Sequence, residues 1–153
     1  MSTVPVLVDA AAREEAAVLA AISASGHDSW SADQFLSSME NPVARVFSAH
    51  CKDDSRSAGT AGYAVIYYDS DGSELVQIAV DPCRRRQGVG TALMEKVFSF
   101  LNDSHVPRIV LEVRAHNDEA IAFYTRLGFR RLTIQKDFYR NPADDAVRMI
   151  RKL

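Results

Sequence analysis

Residues 78–93 read Ile78-Ala79-Val80-Asp81-Pro82-Cys83-Arg84-Arg85-Arg86-Gln87-Gly88-Val89-Gly90-Thr91-Ala92-Leu93. An apolar run stops at Asp81-Pro82, where proline cannot donate to a sheet ladder. A turn follows with Arg84, Arg85, Arg86, Gly88 and Gly90. From Gly88 onward Val89, Leu93, Val97 and Leu101 recur near helical spacing. The stretch is therefore strand, turn, helix. The first N–H groups of a helix have no internal partner, and the helix dipole puts partial positive charge on them. Such an end attracts anions. Gly88 and Gly90 carry no side chain that would keep a diphosphate from the backbone, and the arginines add charge. The plainer alternative is a solvated charge run beside ordinary turn glycines. No G-K-[S/T] follows, so this is no Walker loop, and the third glycine of a dinucleotide fingerprint is missing.

Outward from this stretch the pattern is mixed α/β. Toward the N-terminus, Glu74–Asp81 is a strand expected to carry Val76, Ile78 and Val80 on one face. Asp71-Gly72 marks a hairpin turn before it. Strands are expected at Val4–Val8, Val43–His50 and Ala61–Tyr68, with Lys52–Gly59 as a polar hairpin loop. Ala11–Ile22 suits a helix with Glu14 and Glu15 near its start, and Ser31 caps a second helix through Met39. Toward the C-terminus, Asn102-Asp103 ends the long helix and Arg108–Arg114 is a strand. Asn117 caps a helix with Ala120, Phe123, Tyr124 and Leu127 on one face, and Gly128 stops it. Arg130–Ile134 and Ala146–Lys152 close the chain as strands. The expected order is β-α-α-β-β-β-α-β-α-β-β, one sheet with helices on both faces.

The 153 residues fit a single domain, 1–153, with 47% apolar and 25% charged residues. A formal net charge of −2 lacks the footprint of a general nucleic-acid binder. The two cysteines, Cys51 and Cys83, form no C-x-x-C pair, so neither a disulfide framework nor a metal site is expected. No run is long enough for a membrane span, and Met1–Ala11 does not read as a signal peptide. The expected setting is cytoplasmic.

The loop Arg85-Arg86-Gln87-Gly88-Val89-Gly90 fits [Q/R]-x-x-G-x-[G/A]. It resembles the coenzyme A pyrophosphate loop of the GCN5-related N-acetyltransferases (GNAT), and the element order is similar to theirs. Leu111-Glu112-Val113-Arg114, Asn117, Ala120, Tyr124 and Gly128-Phe129 resemble the L-E-V-R-x-x-N-x-x-A-x-x-x-Y-x-x-x-G-F block of ribosomal-protein alanine N-acetyltransferases. Asp137-Phe138-Tyr139 and Asp145–Met149 are similar to that subgroup's tail. The resemblance covers about Gly62–Met149. It implies a GNAT fold whose mostly antiparallel, splayed sheet holds acetyl-CoA between the Glu74–Asp81 and Arg108–Arg114 strands. It implies coenzyme contacts at Ile78, Ala79, Val80, Arg85, Arg86, Gln87, Gly88, Val89, Gly90, Thr91 and Asn117. The Ile78–Val80 backbone would pair with the pantetheine arm as an added strand, and its amides would polarise the acetyl carbonyl.

Acetyl transfer to an amine needs a neutral amine and a proton for the departing thiolate. At pH 7 an α-amine is roughly 10% neutral, whereas a lysine is well under 0.1% neutral. A terminal amine is therefore the easier acceptor, although a site can depress a lysine pKa. Glu112 sits among Val110, Leu111 and Val113, where a charge is costly unless partnered. Read alone, it pairs with Arg114 or Arg84; under the resemblance it is the general base. Tyr124 reads alone as a core aromatic, and under the resemblance as the general acid aimed at the coenzyme sulfur. Cys83 beside three arginines suits a turn cysteine better than a covalent carrier, and His116 an exposed loop histidine.

The subgroup's Pro-Trp-[S/T] segment is Ser29-Trp30-Ser31 here, and its paired tail tyrosines are Phe138 and Tyr139. Trp30 and Tyr139 are the candidate acceptor contacts. The expected acceptor is a protein N-terminal α-amine of the ribosomal-protein alanine type. The alternatives are lysine, a polyamine or another small amine, and a non-catalytic acyl-CoA-binding domain. No direct nucleic-acid or membrane partner is expected, and the assembly is a monomer or weak homodimer.

Overall fold

The computed structural model describes residues 5–52 and 59–153. The loop expected at Lys52–Gly59 and residue Val4 of the first strand fall largely outside them. The elements are β1 (Val6–Ala10), α1 (Ala16–Ser23), α2 (Ala32–Glu40), β2 (Ala44–Cys51), β3 (Thr60–Tyr68), β4 (Ser73–Val80), α3 (Val89–Asp103), β5 (Arg108–Arg114), α4 (Asp118–Arg126), β6 (Arg130–Tyr139) and β7 (Asp144–Lys152). This is the expected order. All seven strands form one sheet, β1-β2-β3-β4-β5-β7-β6. Every pairing is antiparallel except β4 with β5.

The helices divide between the faces. Val46, Tyr63 and Val65 meet Leu19, Ile22 and Phe35 of α1 and α2. Phe47, Ala64 and Ile66 meet Leu93, Val97 and Leu101 of α3, with Ile121 and Tyr124 of α4 nearby. Ser31 caps α2 by accepting from the Gln34 N–H at 3.3 Å, while Gln34 Oε1 accepts from the Ser31 N–H at 2.8 Å. That reciprocal pair satisfies two helix-end donors. Gly62 lets α3 approach β3: a Cβ there would stand 3.2 Å from Val89 Cγ1 and 2.7 Å from the Ala79 carbonyl oxygen.

Besides small shifts at the ends of β1 and β7, three features differ from expectation. The first helix opens as a 3-10 turn at Arg13–Glu15 before α1, because Glu15 turns back to accept the Ala12 N–H at 3.0 Å. β6 runs five residues beyond Ile134, held to β7 through register shifts between Arg131 and Thr133 and between Gln135 and Tyr139. Such irregularities break the period-2 pattern that marks a strand in sequence. Third, Val76, Ile78 and Val80 do not share one regular face. Gln77 opposes Val65, but Leu75 opposes Ile66, so Val76 is an extra residue in a β-bulge. Leu75, Ile78 and Val80 face the α3 core, while Val76 is 36% exposed.

Candidate active site

The bulge at Val76 lies where β4 leaves β5. The two strands pair only at Ser73↔Ile109, Glu74↔Val110 and Leu75↔Leu111. β4 then continues to Val80 and β5 to Arg114 without pairing to each other. A bulge bends its strand and increases local twist, which opens the sheet into a V. Asp81 N–H donates to the Ala61 carbonyl at 2.8 Å. Antiparallel alternation then turns the backbone groups of Ala79 and Gln77 toward β3 as well. Those of Ile78 and Val80 face the open side of the V.

Beyond β4 the chain makes a 3-10 turn at Pro82–Arg84, with Asp81 accepting from the Cys83 N–H at 2.9 Å. Arg86 (φ 64°) and Gly88 (φ 81°) are both left-handed, a conformation that is costly for a side-chain-bearing residue and free for glycine. A Cβ at Gly88 would meet nothing within 4 Å, whereas one at Gly90 would stand 3.3 Å from the Phe123 ring. Arg85, Arg86, Gly88 and Thr91 are exposed, and Gln87 is half-buried, its Oε1 3.8 Å from the Cys51 sulfur. Val89 is buried, so it offers this end only its backbone. The unpaired edge at Ile78 and Val80 suits an extended amide-bearing arm, and the α3 amides suit a diphosphate at its end.

A cavity of about 440 Å³ fills the V, and its lining includes Ile78, Glu112, Asn117, Tyr124 and Tyr139. The expected base and acid thus face one space. Glu112 is the direct cross-strand partner of Arg148, whose Nη1 donates to Oε1 at 2.7 Å. Neither Arg114 nor Arg84 is its counter-ion; the antiparallel β5–β7 ladder selects a residue on another strand, which local spacing cannot reveal. Tyr124 is 7% exposed and packs edge-on to Phe123 and Phe129. Burial, with some repulsion from Tyr139, pushes its phenol far above the ordinary value, so it keeps its proton throughout the neutral range. Asn117 caps α4 by accepting from the Ala120 N–H at 3.1 Å.

Tyr139 of β6 also lines the cavity. Burial and the Glu112 and Asp28 carboxylates push its phenol up to about 12, against the opposing pull of Arg114. The Arg114 guanidinium lies 4.3 Å from its ring centre. Arg114 also donates to both Asp28 carboxylate oxygens at 3.1–3.2 Å and to the Pro142 carbonyl at 2.6 Å. The Asp28 carbonyl accepts from Gln77 Nε2 at 2.9 Å, and Gln77 Oε1 accepts from Tyr63 at 2.9 Å. One chain of contacts thus ties the α1–α2 loop, β4, β5 and the β6–β7 connection around the cavity. Sequence reasoning did not single out Asp28, Gln77 or Arg114 as site residues. Asp28 and Arg114 stand 86 positions apart, and the only local signal is the Gly26-His27-Asp28 turn, in which Asp28 has φ 60°.

Trp30 packs against Phe35, ring centres 5.4 Å apart, and does not line this cavity; it anchors the helix pair. Cys83 is exposed and also outside the lining. His116 is exposed and bonded through Nδ1 to Asp144 at 2.8 Å, which raises its pKa. Among the described residues no three His, Cys, Asp or Glu side chains converge on a metal position, and no helix is long and apolar enough to cross a membrane.

A strand parts from its neighbour beside a glycine-broken helix start, and a carboxylate and a buried phenol face the gap. Residues 13–129 match the Acetyltransferase (GNAT) family, and the chain belongs to that family. It is 32% identical over 157 aligned positions to the N-alpha-acetyltransferase RimI of Mycobacterium tuberculosis, covering 97% of this chain and 94% of that protein. It is 43% identical over 79 residues to the [ribosomal protein bS18]-alanine N-acetyltransferase of Escherichia coli, covering 52% of this chain and 53% of the relative, about half its length. The crystal structure of the Escherichia coli ribosomal-protein-S18-alanine N-acetyltransferase superposes with a TM-score of 0.84 at 29% identity, covering 97% of this chain and 94% of that one.

Proposed function

We propose that the protein is an acetyl-CoA-dependent N-acetyltransferase acting on the N-terminal α-amine of a protein, of the ribosomal-protein alanine type. The observation that carries this reading is the shared 440 Å³ cavity, faced at once by Glu112, Tyr124 and the unpaired β4 edge. Acetyl-CoA supplies the thioester carbonyl and the thiol leaving group. The α3 amides and the Gly88–Gly90 backbone hold its diphosphate, with Arg85 and Arg86 adding charge and Gln87 and Thr91 flanking the loop. The Ile78–Val80 edge holds its arm, and Asn117 borders it.

Glu112 takes the proton that leaves the attacking amine. The Ile78 N–H donates to the carbonyl oxygen as charge develops there. Tyr124, held protonated by burial, donates its hydroxyl hydrogen to the departing sulfur. Tyr139 borders the acceptor, held in place by Arg114. The test is thiol release from acetyl-CoA with peptides bearing free Ala, Ser and Met N-termini, an N-blocked lysine peptide and spermidine. Release with the free N-termini supports the reading; release with lysine or spermidine alone keeps the chemistry and overturns the acceptor. Coenzyme binding without release on any acceptor favours a binding-only domain.

A further inference from the structure

Glu112 and Arg148, though bonded to each other, line different cavities. The first is the 440 Å³ space in the V, with Glu112 in its wall. The second, about 510 Å³, is lined by Arg148, Glu74, Val110, Tyr67 and Tyr68 among others. Glu112 and Arg148 are 19% and 37% exposed at their side chains, so their contact is only partly screened by water.

We infer that Arg148 is a positioning residue for Glu112, fixing one carboxylate oxygen so that the other faces the acceptor amine, and offsetting the neighbouring Glu74 charge. This rests on the reading of Glu112 as the base. Three observations carry it. Cross-strand register places Arg148 directly opposite Glu112. The 2.7 Å hydrogen bond uses Oε1 alone. Glu74 stands near enough to be pushed above its ordinary value, first by burial, then by Glu112, with Arg148 pulling it down. Without Arg148, two partly buried carboxylates would face each other across the β4–β5 junction, and like charges so placed raise each other's affinity for protons. The other charged or titratable groups around Glu112 are Tyr124 of α4, Tyr139 of β6, Arg114 on its own strand, and His27 and Asp28 of the α1–α2 loop. Asp28 and Arg114 are committed to each other at 3.1 Å. The two phenols are held protonated.

The experiment is kcat against pH, at saturating acetyl-CoA and Ala-peptide, for the full-length wild type, Arg148→Met, Arg148→Lys, the Arg148→Met/Glu74→Gln double variant and Glu112→Gln. The acid limb of kcat reports groups in the enzyme–substrate complex. Arg148→Met should move that limb up by about one pH unit. Adding Glu74→Gln should bring it back down. Arg148→Lys should leave the limb near the wild-type position while lowering the plateau several-fold, because an ammonium lacks the planar fork of a guanidinium. Unchanged circular dichroism and acetyl-CoA Kd confirm an intact fold; should Arg148→Met not fold, Arg148→Lys reports the plateau, and an added Glu74→Gln single variant reports the limb, which should lie below the wild-type position and overturns the inference if it does not move. An Arg148→Met limb that does not move, or one that moves but ignores Glu74→Gln, overturns the inference. If Glu112→Gln matches wild type in rate and limb, it is the base assignment that fails.

Discussion

The two walls of the V are built in different ways. The α3 wall is made of backbone: the Ile78 and Val80 edge, the left-handed Gly88 and the first α3 amides. The opposite wall is made of side chains: Asp28, Gln77, Arg114 and Tyr139, drawn from four separate segments and joined by a relay of hydrogen bonds and a ring contact. Backbone donors recognise a diphosphate through its charge and shape. A side-chain wall recognises whatever its residues complement, so under the proposed function it is the wall that sets acceptor preference. The Glu112–Arg148 pair stands at the seam.

Substitutions can probe each wall separately. On coenzyme affinity Gly90→Val should act most strongly, because a Cβ there stands 3.3 Å from the Phe123 ring and the larger side chain would push the start of α3 out of place. A loss of acetyl-CoA affinity of about a hundredfold, or roughly 2.7 kcal/mol, is expected by calorimetry. Affinity within twofold of wild type would show that this wall is not a backbone cradle. Tyr124→Phe should lower kcat by about 10- to 100-fold with the acetyl-CoA Kd unchanged. Since the phenol lies far above its ordinary value, no alkaline limb below pH 9 should be lost with it.

Arg114→Met should act on the opposite wall alone. It frees Asp28, Tyr139 and the Pro142 carbonyl together. The KM for acceptor peptide should rise about tenfold, the magnitude of one charge-assisted hydrogen bond, while the acetyl-CoA KM stays put. Equal changes in both would mean that the walls are not independent.

The smallest effect on turnover is expected at Glu15, which does not line the cavity. Burial alone would raise its carboxyl, but the Ala12 N–H, the Thr60 and Ser48 hydroxyls and the charge of His50 more than offset it, and the net shift is downward. A depressed carboxylate contributes stability above its unfolded value and loses it as pH falls through the folded one. Glu15→Gln should therefore cost about 1–2 kcal/mol at pH 7 by urea denaturation, much less at pH 3, and leave kcat unchanged.

The same contrast explains what was legible in the sequence. The α3 wall announces itself locally: the end of a strand, a proline stop, two glycines and the start of a helical repeat lie within sixteen consecutive residues. Element order followed from apolar periodicity, and Ser31 and Asn117 as caps followed from residue type. The bulge at Val76 was hidden, because a single extra residue leaves an apolar strand looking regular. Arg148 was hidden because a counter-ion is chosen by the strand alongside, and Arg148 on β7 lies 36 positions from Glu112. Trp30 is an acceptor candidate by resemblance alone, and its ring packs against Phe35 of α2.

The most direct test of the reading is a single variant at the seam. Glu112→Gln keeps the shape of the side chain and removes its capacity to take a proton. With Ala-peptide at pH 7, kcat should fall by about 10²- to 10⁴-fold while the acetyl-CoA Kd stays within twofold of wild type. A variant that acetylates as fast as the wild type would contradict the assignment of Glu112 as the base.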